Sequence, residues 1–237
     1  PRHARGHRIS PSELPALASM GGPCLFPALQ LLSISAVGSL REEFAPRDVV
    51  IPDQILDRTK GVRPASFFGD GIVVHIAFAE PYCPELCKIL LGAAQEEGAT
   101  VHGGATMVVM EGPQFSTKAE SLFHRQVGGD LIGMTALPEA KLAREAEICY
   151  CMVAMVTDYD CWHESEEAVT VDMVVENLQA NADTAKGIVR RALPRIAAAK
   201  RECACRTALA NAIITAQEAM PRERLAELDL LLGKYVS

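Results

Sequence analysis

The longest unbroken apolar run in this 237-residue chain is Ile148–Val156, nine residues. A membrane-spanning helix needs about 20, so none is expected. No charged-then-apolar leader with a small-residue cleavage site opens the sequence, so secretion is not expected and a cytoplasmic location is. Positive charge is scarce: 23 Lys and Arg stand against 30 Asp and Glu, a net charge of −7. That balance disfavours nucleic acid as a partner and requires any site for an anionic substrate to be locally basic. Eight cysteines are present (Cys24, Cys83, Cys87, Cys149, Cys151, Cys161, Cys203, Cys205). None of the cysteines shows C-x2-C spacing, which argues against zinc, and without a leader they read as reduced thiols. Internal repeats, low-complexity tracts and linkers are also missing, so a second domain is not expected.

What is present is apolar enough to fold. Apolar residues make up 49% and charged residues 22%, which excludes disorder and allows a full core. "LLSISAV" reads as a buried strand, and "DVVIPDQILD" as a strand and exit loop, because Pro52 suits only an edge or an end. Pro84 opens and Gly98 closes a helix over "PELCKILLGAAQEEGA". "TMVVM" and "DLIGMT" read as strands. Thr117 and Glu120 form a capping box ahead of "KAESLFHRQVGG". A helix starting at Pro138 precedes the strand "ICYCMVAMV". An amphipathic helix runs on from Val171, and "RTALANAIITA" and "ERLAELDLLLGKY" read as two more. Ala16–Leu32 holds two glycines and two prolines, about 8 kcal/mol of lost helix propensity, and is expected to be irregular. Strands alternating with helices make this an α/β protein with a parallel or mixed sheet.

Asp158 and Asp160 fall where the last apolar strand leaves the core. In extended backbone residues i and i+2 face one side, and open α/β sheets collect ligands at the carboxyl ends of their strands. Two carboxylates that close keep one of them protonated nearer neutrality. One could then donate to a leaving group while the other accepts from an amino group. The pair on its own suits a solvated loop or a helix cap equally well.

Its surroundings carry more. "EGPQFSTKAES" (Glu111–Ser121), "GMTALPEAKLAREAEICY" (Gly133–Tyr150), "VTDYDCW" and "SAVGSLREE" (Ser35–Glu43) resemble the methylthioadenosine phosphorylase branch of the trimeric purine nucleoside phosphorylases. "RHARGHRISPSELP" and "FFGDGIVVHIAFAEPYCP" are similar to it too, in the right order. The resemblance implies a single domain of nucleoside phosphorylase fold, with a central mixed β-sheet flanked by helices. It implies a homotrimer that uses inorganic phosphate as co-substrate, with no cofactor or metal, to release adenine from 5′-methylthioadenosine in purine and methionine salvage.

By the same resemblance Asp158 bonds the purine ring nitrogen N7 as general acid and Asp160 serves the 6-amino group. A 6-oxopurine enzyme favours asparagine at the first of these positions, which separates that alternative. Arg2, His3, Ser35, the Ala36 backbone and Thr135 are implied to hold phosphate. Phe115 and Val37 would face the purine, Met134 the ribose, and Ser116 would tune specificity. His7, Val171 and Val174 would form the methylthio pocket, and His75 would come from a neighbouring subunit. Heat-adapted relatives pair a C-x-C such as Cys203/Cys205, whereas the residues themselves read as two reduced thiols. The family's opening strand and glycine-rich phosphate loop have no counterpart in the sequence, so the domain is expected to be N-terminally incomplete. A non-catalytic, truncated relative is therefore the other alternative.

Overall fold

A computed structural model of the chain describes residues 2–4, 8–25, 29–164 and 171–236, with the side chains of 23–25 and 171–175 outside the description. Its central feature is β7 (Cys149–Tyr159), a strand buried on both faces. Tyr150, Met152, Ala154 and Val156 point into one apolar cluster, with Ala16 and Met20 of α1 (Ala16–Leu25) and Ala140 and Ala143 of α4 (Ala136–Glu145). Cys149, Cys151, Val153 and Met155 point into another, with Leu86, Leu90 and Ala93 of α2 (Pro84–Glu96) and Ala185, Ile188 and Ala192 of α5 (Val171–Ala198). The period-2 alternation of a strand thus splits one continuous apolar run between two helical layers.

Among the described residues seven strands form one mixed sheet in the order β3-β5-β6-β1-β7-β2-β4. The other strands are β1 (Gln30–Ser39), β2 (Val49–Ile51), β3 (Gln54–Arg58), β4 (Val101–Gly103), β5 (Thr106–Met110) and β6 (Leu131–Gly133). "DVVIPDQILD" is therefore two strands with Pro52 between them. β7 runs parallel to β1 and antiparallel to β2, and β6 runs antiparallel to β1. The parallel β1–β7 register breaks once. Val37 faces Val156, but Gly38 faces Asp158, leaving Thr157 as a bulge. The carbonyls near the bulge are taken by α5, where Asn181 Nδ2 donates to Val156 O at 2.9 Å and Asn177 Nδ2 to Thr157 O at 2.7 Å. The capping box at Thr117 is formed in both directions ahead of α3 (Lys118–Gln126).

Three expectations about helices are overturned. Ala16–Leu25 is helical despite Gly21, Gly22 and Pro23. Burial of Ala16 and Met20 in the core beside α4 outweighs the propensity deficit. "RTALANAIITA" is not a helix beyond a 3-10 turn at Ala204–Thr207. Its backbone groups pair elsewhere: the Ile214 amide donates to Val73 O, the His75 amide to Ala212 O, and the Leu209 amide to Glu147 Oε1. The final segment forms two short helices, α6 (Arg222–Glu227) and α7 (Asp229–Leu232), rather than one.

The loops at the carboxyl edge of the sheet are tied together by one buried guanidinium. Arg63 Nε donates to Glu111 Oε1 at 2.8 Å, and its Nη1 donates to Met134 O at 2.5 Å and Leu137 O at 2.8 Å. Its Nη2 donates to Glu111 O. Glu111 also accepts from the Ser12 hydroxyl and from the Lys60 amide at 2.8 Å. Burial pushes the Glu111 carboxyl up, but these donors outweigh it and hold the group below the ordinary glutamate value. A depressed carboxylate contributes stability above its unfolded pKa and loses that contribution as pH falls through its folded pKa. Arg63→Met, which strands a buried carboxylate, should destabilise the fold by about 3–5 kcal/mol at neutral pH. Urea unfolding should show a smaller loss in Arg63→Met/Glu111→Leu, and the single-variant deficit should narrow in acid.

Candidate active site

β7 ends by delivering its two carboxylates to one spot. Asp158 is half-buried and Asp160 is 8% exposed. The Asp160 amide still donates to Ser39 O of β1 at 3.0 Å, so the residue stays in line with the sheet. Gly38 of β1 lies between them: a Cβ there would stand 3.2 Å from Asp158 Oδ1 and 3.6 Å from Asp160 Cβ. Burial raises the pKa of Asp158 most, and the charge of Asp160 adds to it. The Thr157 hydroxyl, donating to Asp158 Oδ2 at 2.7 Å, only partly offsets the rise. Asp160 Oδ2 is buried and accepts no hydrogen bond among the described residues. A desolvated acceptor of that kind gains by meeting an N–H. His124 of α3 lies close enough to feel the Asp160 charge, yet burial and then Arg58 keep its imidazole below the ordinary histidine value.

A second cluster lies along β1. The antiparallel register that sets Gly38 against Ile132 brings Thr135, just past β6, opposite Ser35. Their hydroxyls are 2.9 Å apart. Arg2 reaches the same point, with Nη1 3.5 Å from Ser35 Oγ and Nη2 donating to Ser33 Oγ at 2.7 Å. Its guanidinium is gripped by Glu139 of α4 through Nε at 2.5 Å and Nη2 at 3.1 Å. Burial pulls the Arg2 pKa down, but Glu139 outweighs it and the net shift is upward. Tyr150 donates to Glu139 Oε2 at 3.1 Å. Ser35 and Gly38, beside which the two clusters lie, are three strand residues apart, about 10 Å along β1.

The structure thus brings together Arg2, Ser35 and Thr135, and separately Asp158 and Asp160. His3 is engaged elsewhere, its Nδ1 2.7 Å from Ile9 O. Ala36 lies on the exposed face of β1. Met134 is half-buried under the Arg63 tie, and Gly112, at φ +69°, gives it room, since a Cβ there would fall 2.5 Å from its sulfur. Phe115 is 79% exposed on the loop after β5 and is not a core residue. Ser116 lies on the same loop, its carbonyl accepting the Cys161 thiol at 3.2 Å. Val37 is buried in the core. His75 is exposed on the loop that pairs with the C-terminal segment. His7 and the side chains of Val171 and Val174 lie outside the described residues.

Sequence reasoning missed Arg63, Glu139, Asn177 and Asn181. Glu139 had one signal, its place four residues after Thr135, one helical turn away. The others act through contacts 20 or more positions distant in the chain. The metal expectation, based on local spacing, also overlooked a set that only the fold assembles. The sulfurs of Cys83, Cys149, Cys203 and Cys205 lie within 4.8 Å of one another.

Residues 16–194 match the model of the phosphorylase superfamily. The chain is 52% identical over 236 residues to the S-methyl-5'-thioadenosine phosphorylase of Geobacter sulfurreducens, and 55% identical over 237 residues to that of Chloroflexus aurantiacus. Each alignment takes in 100% of this chain and 82% of the relative. Among solved structures it is similar to a methylthioadenosine phosphorylase from an antarctic soil metagenomic library, with TM-score 0.93 and 46% identity, covering 98% of this chain and 81% of that one. It is also similar to the Schistosoma mansoni methylthioadenosine phosphorylase in complex with adenine, with TM-score 0.81 and 35% identity, covering 84% and 76%. With the mixed seven-stranded sheet and the order of the motifs, these similarities show that the chain belongs to the phosphorylase superfamily, in its methylthioadenosine phosphorylase branch.

Proposed function

We propose that the chain cleaves 5′-methylthioadenosine by phosphorolysis, giving adenine and 5-methylthioribose 1-phosphate. The observation that carries this reading is the acid pair at the exit of β7, with Asp158 raised and one Asp160 oxygen buried without a hydrogen-bond partner among the described residues. Phosphate, held at Ser35, Thr135 and Arg2, attacks the anomeric carbon as the C–N bond breaks, and negative charge develops on the departing purine. Protonated Asp158 meets that charge at N7, which stabilises the transition state more than the ground state. Asp160 accepts from the 6-amino group, where a 6-oxo purine would present an acceptor. Exposed Phe115 covers the base, Met134 touches the ribose, and His7, Val171 and Val174 surround the methylthio group. We further infer a cytoplasmic homotrimer in which His75 reaches the neighbouring protomer's substrate, with neither nucleic acid nor membrane as partner. The chemistry needs no organic cofactor, because phosphate is consumed as co-substrate.

The direct test is adenine release from 5′-methylthioadenosine by the purified chain, with and without phosphate. Phosphate-dependent release is expected, and stronger activity on inosine would reverse the base assignment. Asp158→Ala should lower kcat/KM by about 10²–10⁴. Asp160→Ala should instead narrow the preference for 6-amino over 6-oxo substrates, measured as the ratio of their kcat/KM values.

The acid must be protonated to work, so activity is lost as pH rises through the Asp158 pKa, which lies above the ordinary aspartate value. Asp160→Asn removes the like charge, and the descending limb of kcat/KM should move to lower pH by up to about one unit. Gly38→Ala sets a Cβ 3.2 Å from Asp158 Oδ1 and 3.1 Å from Ile132 Cγ2, so the Asp158 carboxylate must shift. It should depress kcat more than it depresses the thermal midpoint.

A further inference from the structure

About 30 Å from the acid pair, at the opposite end of β7, four thiols converge in a dry environment. Cys83 is the N-cap of α2, Cys149 is the first residue of β7, and Cys203 and Cys205 flank the start of the 3-10 turn Ala204–Thr207. All four are buried and free, and every sulfur lies within 4.8 Å of every other. The Cys149 and Cys203 sulfurs are 3.3 Å apart. A zinc ion bound by four thiolates at about 2.3 Å sets its ligands at the corners of a tetrahedron with edges of about 3.8 Å. The observed spacing brackets that edge. It is too tight for the wider sulfur frame of an iron–sulfur cluster, and it gathers four sulfurs where a single disulfide would join two.

The surroundings suit a charged thiolate centre. Arg201 Nε donates to Cys149 Sγ at 3.3 Å, and its Nη2 donates to Glu147 O, so a fixed cation stands against the sulfurs. Apolar residues of α2 and α5 enclose the rest of the cluster. We propose that Cys83, Cys149, Cys203 and Cys205 form a structural zinc site that fastens the C-terminal segment to the α2–β7 layer. Each thiol gives its proton to solvent as the ion binds, so the site fills more readily as pH rises. All four coordination positions are occupied by protein, which leaves none open for substrate or water. The ion is a brace, separate from the reaction.

The test begins with the full chain, purified in reductant without chelator and analysed for metals. One zinc per chain is expected, released in step with titration of the thiols by a mercurial. The metal-stripped chain, titrated with cobalt(II), should develop the thiolate charge-transfer and tetrahedral d–d bands at one equivalent, and zinc should abolish them. Added zinc should raise the thermal midpoint of the stripped chain. Cys205→Ser and Cys203→Ala should each lose the zinc, while Cys161→Ser, an exposed thiol outside the cluster, should retain it. The cobalt titration needs no variant, so poor folding of a substituted chain does not obscure the result. Four free thiols that bind neither ion, iron in place of zinc, or disulfides among these cysteines in the protein as isolated would each overturn the assignment.

Discussion

β7 is buried on both faces and its ladder with β1 shifts register once, and the end of the strand is organised around that shift. Up to Val156 each side chain has an apolar neighbour in one of two layers. At Thr157 the ladder with β1 slips by one residue, and two asparagines of α5 donate to the Val156 and Thr157 carbonyls, the first of which also accepts the Arg47 amide. Bulges bend a strand and re-aim the side chains beyond them. Here the re-aimed residues are aspartates. Packing of the core and placement of the chemistry are therefore one problem, solved at a single register shift.

Local rules found the elements whose causes are local. The capping box at Thr117, the proline start of α2 and the apolar run of β7 are decided within a few residues, and all were legible. α1 was not, because what forms it is burial of Ala16 and Met20 against residues more than 100 positions later. "RTALANAIITA" has helical composition, but its backbone groups find partners on the 61–81 loop. The aspartates could be read from the sequence because they interrupt an apolar run. Arg63 could not, since an isolated arginine in a loop gives no sign that it will satisfy carbonyls from two distant stretches of chain. The four-cysteine set escaped for a similar reason. Only Cys203 and Cys205 are close in sequence, and their partners come from a helix cap and a strand start.

Electrostatically the molecule, acidic overall, concentrates its buried cations at a few points. Arg63 neutralises Glu111 beneath the loops, and Arg2 neutralises Glu139 beside the hydroxyl cluster. Both arginines use the planar fork that a lysine lacks. Among the described residues the acid pair has no such partner in contact, and burial, with the Asp160 charge added, raises Asp158.

The Arg2–Glu139 contact has a further consequence. On the proposed reading, phosphate arriving at Ser35 and Thr135 would meet not a bare cation but a guanidinium already committed to a carboxylate. Capture is then an exchange of ligands around Arg2, with Tyr150 and Ser33 left to hold the displaced carboxylate. Because the charge being recruited is pre-neutralised, long-range attraction contributes little. Selectivity falls to the short-range geometry of the hydroxyls, and the response of anion uptake to ionic strength is correspondingly shallow.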